Sequence, residues 1–352
     1  MKSVKKTKAK PVKRTASPSV PQSNKTKDKL SLAAEFCSSG KAKAQSGDYK
    51  GALSNYNRSV RLNPLDAVVY MNRGLLKGRL EDYKGALRDF NRAIKNNPNL
   101  VKAYFIRGTY KMWMGNYVGA IHDYNEAIRI YPSFEDAYYD RGIAKIKNGV
   151  YADAVIDFST VIKLSRRNPH AYCNRGVAKI RLRDFKGALR DCDKALQIDP
   201  DYRDAYYFRG IAKEMLEDYE NALTDFNKFL ESGKADSEAY FHRGNIKAAL
   251  EDYTGALSDF AKANRLKPRL ANFYIVRGKV KIKAADFKSA VRDFTKHLKT
   301  YPKDSEAFIN RGIAKFNMGN EKGAAEDWNK AHDLGNPDAI SYFWNNSIFP
   351  RV

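Results

Sequence analysis

The stretch Tyr172–Asp191 reads YCNRGVAKIRLRDFKGALRD, and close copies of it recur along the chain at multiples of 34 residues. Tyr70–Lys77 is YMNRGLLK and Tyr206–Lys213 is YYFRGIAK. A period of that length marks a stack of like units, because each unit buries its apolar face on its neighbours. Nine repeats run without insertion or deletion from Ala33 to Asp338, opening at Ala33, Ala67, Val101, Glu135, Pro169, Arg203, Ser237, Ala271 and Ser305.

Within each repeat, apolar or small residues fall at positions 4, 8 and 11 or 12, then at 17, 20, 21, 24, 27 and 28. That is the spacing of one buried face on each of two helices. A turn such as Gly47-Asp48 or Gly115-Asn116 separates the halves, and Pro64, Pro98, Pro132, Pro200, Pro268 and Pro302 stop the second helix. The predicted unit is a helical hairpin and the predicted fold class is all-α. Position 8 is Gly in all nine repeats, from Gly40 to Gly312, and position 20 is Ala in all nine, from Ala52 to Ala324. Gly inside a helix costs about 1 kcal/mol relative to Ala, so its constant presence implies close approach of the two helices. Position 4 is aromatic throughout, from Phe36 to Phe308, and reads as core.

In Glu135 to Asn168, the residues Tyr138, Gly142, Tyr151, Ala154 and Phe158 stand at the offsets of the tetratricopeptide-repeat signature. The chain resembles that family across all nine repeats, with two departures. Arg replaces the expected Leu in repeats two to nine, and Lys replaces the expected Tyr in all nine. The resemblance implies a right-handed α-solenoid whose concave wall is made by the first helices. It also implies that the chain binds a peptide of a partner protein along that wall; the chain's own residues place this around repeats three to seven of a non-enzymatic scaffold.

The departures place Arg at position 7 and Lys at position 11 on one helical face, from Arg73 and Lys77 to Arg311 and Lys315. Like charges so spaced cost about 0.2–0.5 kcal/mol per pair, so an anion is required. Position 23 supplies it as Asp in repeats two to nine, from Asp89 to Asp327. Repeat one lacks both members, with Ser39 and Asn55 in their places. In an antiparallel hairpin positions 7 and 23 lie opposite each other, which predicts an Arg–Asp pair inside each repeat rather than between repeats. This ladder absorbs much of the formal charge of +24, and most of the remainder lies in residues 1–32.

Residues 1–32 carry ten Lys or Arg against one acid, Asp28, and almost no large apolar side chain. They read as a disordered basic tail. Lys5 to Arg14 has the composition of a nuclear-import or polyanion patch, so nucleic acid or a ribosome held through residues 2–29 is the alternative function. The three scattered cysteines, Cys37, Cys173 and Cys192, make neither a disulfide framework nor a metal pattern, which points to a reducing, cytoplasmic compartment, with the nucleus as the alternative. No apolar run spans a membrane, and the N-terminus lacks the apolar region of a signal peptide. Ala339 to Asn346, with Ile340, Phe343 and Trp344 on one face, reads as a capping helix begun by Asn336 and Pro337, and Ser347 to Val352 as a frayed end.

Positions 2, 5, 6, 9, 12 and 13 form the candidate wall. Its binding candidates are Phe105, Tyr139, Tyr207 and Phe241 at position 5, Phe208 at position 6 and Trp113 at position 13. Asn174 is a candidate backbone grip, and Asp140, Asp204 and Glu238 add an acidic component that suits a ligand with apolar and basic groups. The competing reading of position 5 is packing against the neighbouring repeat. No repeat has Lys at position 5, which argues against the carboxylate clamp for heat-shock chaperone tails, and Asn at position 6 occurs only as Asn72, Asn174 and Asn310. His122, His170, His242, His297 and His332 fall at five different repeat positions, and no phosphate loop or nucleophile motif occurs. Neither catalysis nor a metal or cofactor is therefore expected. His242 beside Glu238 reads as a surface pair, and Phe229 in place of the usual Ala predicts altered stacking between repeats six and seven.

Overall fold

The computed structural model describes residues 23–345 except 232, 234 and 269–271. The expectations for residues 1–22, for the side chains of Ile340, Phe343 and Trp344, and for Ser347 to Val352 lie outside the described residues. Among the described residues every regular element is an α-helix, and the helices come in nine pairs followed by a single helix. The pairs are α1 (Ser23–Gln45) with α2 (Tyr49–Leu62), α3 (Ala67–Arg79) with α4 (Tyr83–Asn96), and α5 (Val101–Trp113) with α6 (Tyr117–Ile130). Next come α7 (Glu135–Lys147) with α8 (Tyr151–Leu164), α9 (Pro169–Arg181) with α10 (Phe185–Ile198), and α11 (Arg203–Glu214) with α12 (Tyr219–Glu231). Then follow α13 (Ser237–Ala249) with α14 (Tyr253–Leu266), α15 (Phe273–Lys283) with α16 (Phe287–Thr300), α17 (Ser305–Phe316) with α18 (Glu321–Asp333), and α19 (Asp338–Asn345). The described residues gather into two compact bodies, one ending at Ala137 and the other beginning at Tyr138, a division the unbroken repeat did not signal.

Each hairpin turn uses one residue in the left-handed region at position 15. Gly47, Gly115, Gly149 and Gly319 take it with φ of 77–87°, and Glu81, Arg183, Glu217, Glu251 and Ala285 take it at 57–65°. The following residue caps the second helix. Asp48, Asp82, Asn116, Asp184, Asp252, Asp286 and Asn320 each accept the N–H three residues on. At the far end, the residue before each proline is extended, as at Asn97 with φ −138°, because the pyrrolidine ring excludes the helical region there. Ser165 reaches φ −135° before Arg166, so repeat four ends its helix without a proline.

The constant small residues make room for rings. Position 24 carries Phe90, Phe158, Phe226, Phe260 and Phe294, all fully buried beside fully buried Ala at position 20. A Cβ on Gly74, Gly244 or Gly278 would stand 2.7 Å from the ring of Phe90, Phe260 or Phe294. The glycine is therefore required by a ring lying across it, through which the two helices approach.

Every charged rung closes inside its own hairpin. Arg73 donates from Nε and Nη2 to Asp89 at 2.9 and 2.6 Å, and Lys77 Nζ reaches the same carboxylate at 2.7 Å. Arg107, Arg141, Arg175, Arg209, Arg243, Arg277 and Arg311 repeat this with Asp123, Asp157, Asp191, Asp225, Asp259, Asp293 and Asp327. In repeat one, Asn55 Nδ2 donates to Ser39 Oγ at 2.9 Å, a neutral version of the rung. Two further contacts were not foreseen. The remaining amine, Nη1, donates to position 25 of the preceding repeat from Arg73, Arg107, Arg175, Arg209, Arg243 and Arg311, as from Arg73 to Asn57 and from Arg243 to Asn227, whereas the residue at that position ahead of Arg277 is Ala261, which has no side-chain acceptor. The guanidinium also lies 5.1–5.7 Å from the centroid of the position-4 ring in repeats two to nine, so that ring is a platform for the rung as well as core.

Three expectations need correction or refinement. Helix α1 starts at Ser23, so Ser23–Leu32, assigned above to a disordered tail, is helical. Once a hairpin has nucleated a helix, each added residue gains a hydrogen bond without a new nucleus, and lysine is a good helix former. The extension leaves Leu30 and Leu32 exposed. Phe229 is 4% exposed and packs into a cluster that includes Ala239 and Ile246 of repeat seven, against Tyr207 and 3.6 Å beneath the Arg203 guanidinium. Helix α19 does cover the end of its body, with Ala339 buried and Tyr342 stacked on Trp328 at 5.7 Å, and Asn336 Oδ1 accepts the Asp338 N–H.

Candidate functional site

Phe105 and Trp113 belong to the first body, and the other eight candidates to the second. The position-5 aromatics are half-buried, each resting on the position-24 ring of its own hairpin. Phe105 sits 5.7 Å from Tyr124 and 4.9 Å from Phe134, Tyr139 lies 5.7 Å from Phe158, and Phe241 lies 5.6 Å from Phe260 and 6.3 Å from Phe273. Tyr207 is enclosed by Phe226, Phe229 and His242, and burial, followed by Glu238, Asp236 and Glu214, pushes its phenol well above the usual tyrosine range. Tyr139, Tyr207 and Phe241 also touch the next repeat, at Asn174, His242 and Phe273, as the competing reading of position 5 expects, whereas Phe134 and Tyr124 beside Phe105 lie in its own repeat.

Asn174 spends both amide N–H bonds inside the protein, donating to Tyr139 Oη at 2.9 Å and to the His170 carbonyl at 3.0 Å. Its oxygen alone is left for a ligand backbone. Burial, then Asp140 and Cys173, raise the Tyr139 phenol, so it stays neutral as the acceptor of that bond. Asp140 is half-exposed on the same turn. Phe208 is half-buried and edge-on to Tyr207 at 5.1 Å, while Asp204 and Glu238 are exposed. Glu238 pairs with Lys267 at 3.2 Å. The partner of His242 is Glu214, whose carboxylate lies 2.6 Å from Nδ1, so the expected His242–Glu238 pair is replaced. Glu214 stands at position 12 of its repeat, and the cross-repeat reach from position 12 to position 6 was the signal that a search within one repeat overlooked.

Trp113 is 69% exposed, with its ring 5.2 Å from Tyr110. It borders a cavity of about 530 Å³ between α1, α3 and α5, which Lys41, Leu75, Arg79, Tyr83 and Tyr110 also line. A second cavity of about 520 Å³ lies in the other body beside Tyr253, Lys279, Ile282, Lys283 and Asn310. Both fall in the size range of small-ligand and peptide side-chain sites. Gly78 could have announced the first, since position 12 carries a side chain in every other repeat.

Family models described as tetratricopeptide repeat or TPR repeat match residues 38–99, 114–149, 169–202 and 207–271. The chain belongs to the tetratricopeptide-repeat family. None of the curated proteins matches the sequence. Among solved structures, a tetratricopeptide repeat protein from Parabacteroides merdae superimposes with a TM-score of 0.54 at 20% identity, covering 72% of this chain and 99% of that one. PilW, a type IV pilus biogenesis factor, gives 0.53 at 16% identity over 60% of this chain and 97% of its own. The Cut9-Hcn1 hetero-tetramer structure gives 0.53 at 16% identity over 73% of this chain and 54% of that one. These likenesses establish the all-α repeat fold. Tetratricopeptide repeats are in general scaffolds for protein–protein interaction, and no helix among the described residues is long and apolar enough to cross a membrane.

Proposed function

We propose that this tetratricopeptide-repeat protein is an adaptor that holds a peptide of a partner protein on the first helices α9, α11 and α13 of its second body. The observation that carries this reading is the division of labour within the repeat. Positions 4, 7, 8, 11, 20 and 23 are committed to rings, close contacts and rungs, whereas Asp204, Phe208 and Glu238 vary between repeats and remain wholly or partly exposed. Phe208 one helical turn from Asp204, with the Lys267-paired Glu238 acting on the adjoining Tyr207, suits a peptide with apolar and basic side chains. The adaptor reading assigns the chain no catalytic step and no cofactor. Buried Cys173 and Cys192 are free thiols, which suits a reducing compartment.

The rungs count against the polyanion alternative for the body of the protein. Their arginine side chains are only 13–20% exposed, and the Nε–Nη2 edge that would clasp a phosphate is held by aspartate. Panning a displayed peptide library on the full chain tests the proposal. Selection is expected to converge on an apolar–basic motif that binds an Asp204→Asn, Glu238→Gln variant about tenfold more weakly. Failure to converge, or equal binding by the variant, overturns it.

A further inference from the structure

The cavity between α1, α3 and α5 differs in chemistry from the face of the second body. Its walls are aromatic and aliphatic, with Leu75, Tyr83, Tyr110 and the largely exposed Trp113, and its charged residues are both basic, Lys41 and Arg79. No Asp or Glu lines it. Elsewhere in the repeats each ladder cation from repeat two onward meets a carboxylate, and Lys279 beside the second cavity is paired with Glu306. Lys41 has no carboxylate partner among the described residues. Arg79 donates only to the Tyr49 hydroxyl, at 3.2 Å, while lying over that ring. The floor depends on Gly78, because a Cβ there would collide with the Tyr110 ring and hydroxyl that lean across it.

We infer that this cavity is a second docking site, and that its occupant is an acidic peptide segment carrying an aromatic side chain. The ring enters against Trp113 and Tyr110, where about 530 Å³ is open to it, and flanking carboxylates meet Lys41 and Arg79. Charge complementarity selects the occupant: no carboxylate lines this cavity, and neither Lys41 nor Arg79 has a carboxylate partner among the described residues. The inference shares with the adaptor reading only its use of first helices, and the Asp204 and Glu238 variants leave this cavity intact.

The test is calorimetric titration of the full chain with acetyl-Gly-Asp-Phe-Asp-Gly-amide, followed in parallel by tryptophan fluorescence. Saturable binding is expected, weakened about tenfold or more by replacing both Asp of the peptide with Asn, or its Phe with Ala. Trp113→Ala and Lys41→Glu, both at exposed positions, are expected to weaken it to a similar degree while the circular dichroism spectrum is unchanged. Asp204→Asn, Glu238→Gln is expected to bind the peptide as the parent does. Absence of saturable binding, equal affinity for the Asn peptide, or unchanged affinity of both cavity variants overturns the inference. Displacement of the peptide by a short single-stranded oligonucleotide at equal concentration would also overturn it, by assigning the cations to phosphate.

Discussion

Gly244 and Gly176 hold the same place in their repeats and face different side chains. A Cβ on Gly244 would lie 2.7 Å from the Phe260 ring, which is fully buried and has nowhere to move. At Gly176 the nearest atom is the Cys192 sulfur, at 3.2 Å, because repeat five alone lacks a ring at position 24. Overpacking costs about 1–3 kcal/mol, and Gly to Ala within a helix returns about 1 kcal/mol. Gly244→Ala is therefore expected to lose about 1–2 kcal/mol, and Gly176→Ala to stay within about 0.5 kcal/mol of the parent, in urea denaturation. The constancy of this glycine was legible because a glycine inside a helix has few explanations. The role of the position-5 aromatics was not, since one type of side chain serves packing and binding equally well and its distance to the next repeat is absent from the letters.

Between helices, the Arg–Lys–Asp rung is the recurring fastener. Burial alone would raise the Asp259 carboxyl, but hydrogen bonds from Arg243 and Lys247 outweigh it and hold its pKa below the ordinary aspartate value. Since the folded pKa lies below the unfolded one, the contribution is complete above the ordinary value of about 4 and is lost as pH falls through the lower, folded value. Asp259→Ala leaves two cations facing each other at a half-buried site and is expected to cost about 3 kcal/mol at pH 7. The same variant is expected to show a shallower loss of stability between pH 5 and pH 2, measured by urea titration at each pH. The paired change Arg243→Ser, Asp259→Asn copies the neutral Ser39–Asn55 rung and is expected to cost less than Asp259→Ala alone. Pairing inside the repeat could be read from the joint absence of Arg and Asp in repeat one. The link to the preceding repeat could not, because position 25 is variously Asn57, Ser159, Asp193 or Thr295, with no constant residue to mark it.

For the molecule as a whole, the period determined the hairpins and the all-α class, because each constant residue has one geometric duty within 34 positions. Features that depend on distance between repeats or on helix propagation escaped it: the division into two bodies, the start of α1 at Ser23, the Glu214–His242 pair and the cavity floored by Gly78. The central claim is that ligand binding in the second body lies on the variable first helices, while second helices and rungs hold the frame. Hydrogen–deuterium exchange of the full chain, with and without a library-selected peptide, tests this most directly. The account predicts slowed exchange in α9, α11 and α13 with α10, α12 and α14 unchanged, and slowing confined to those second helices would contradict it.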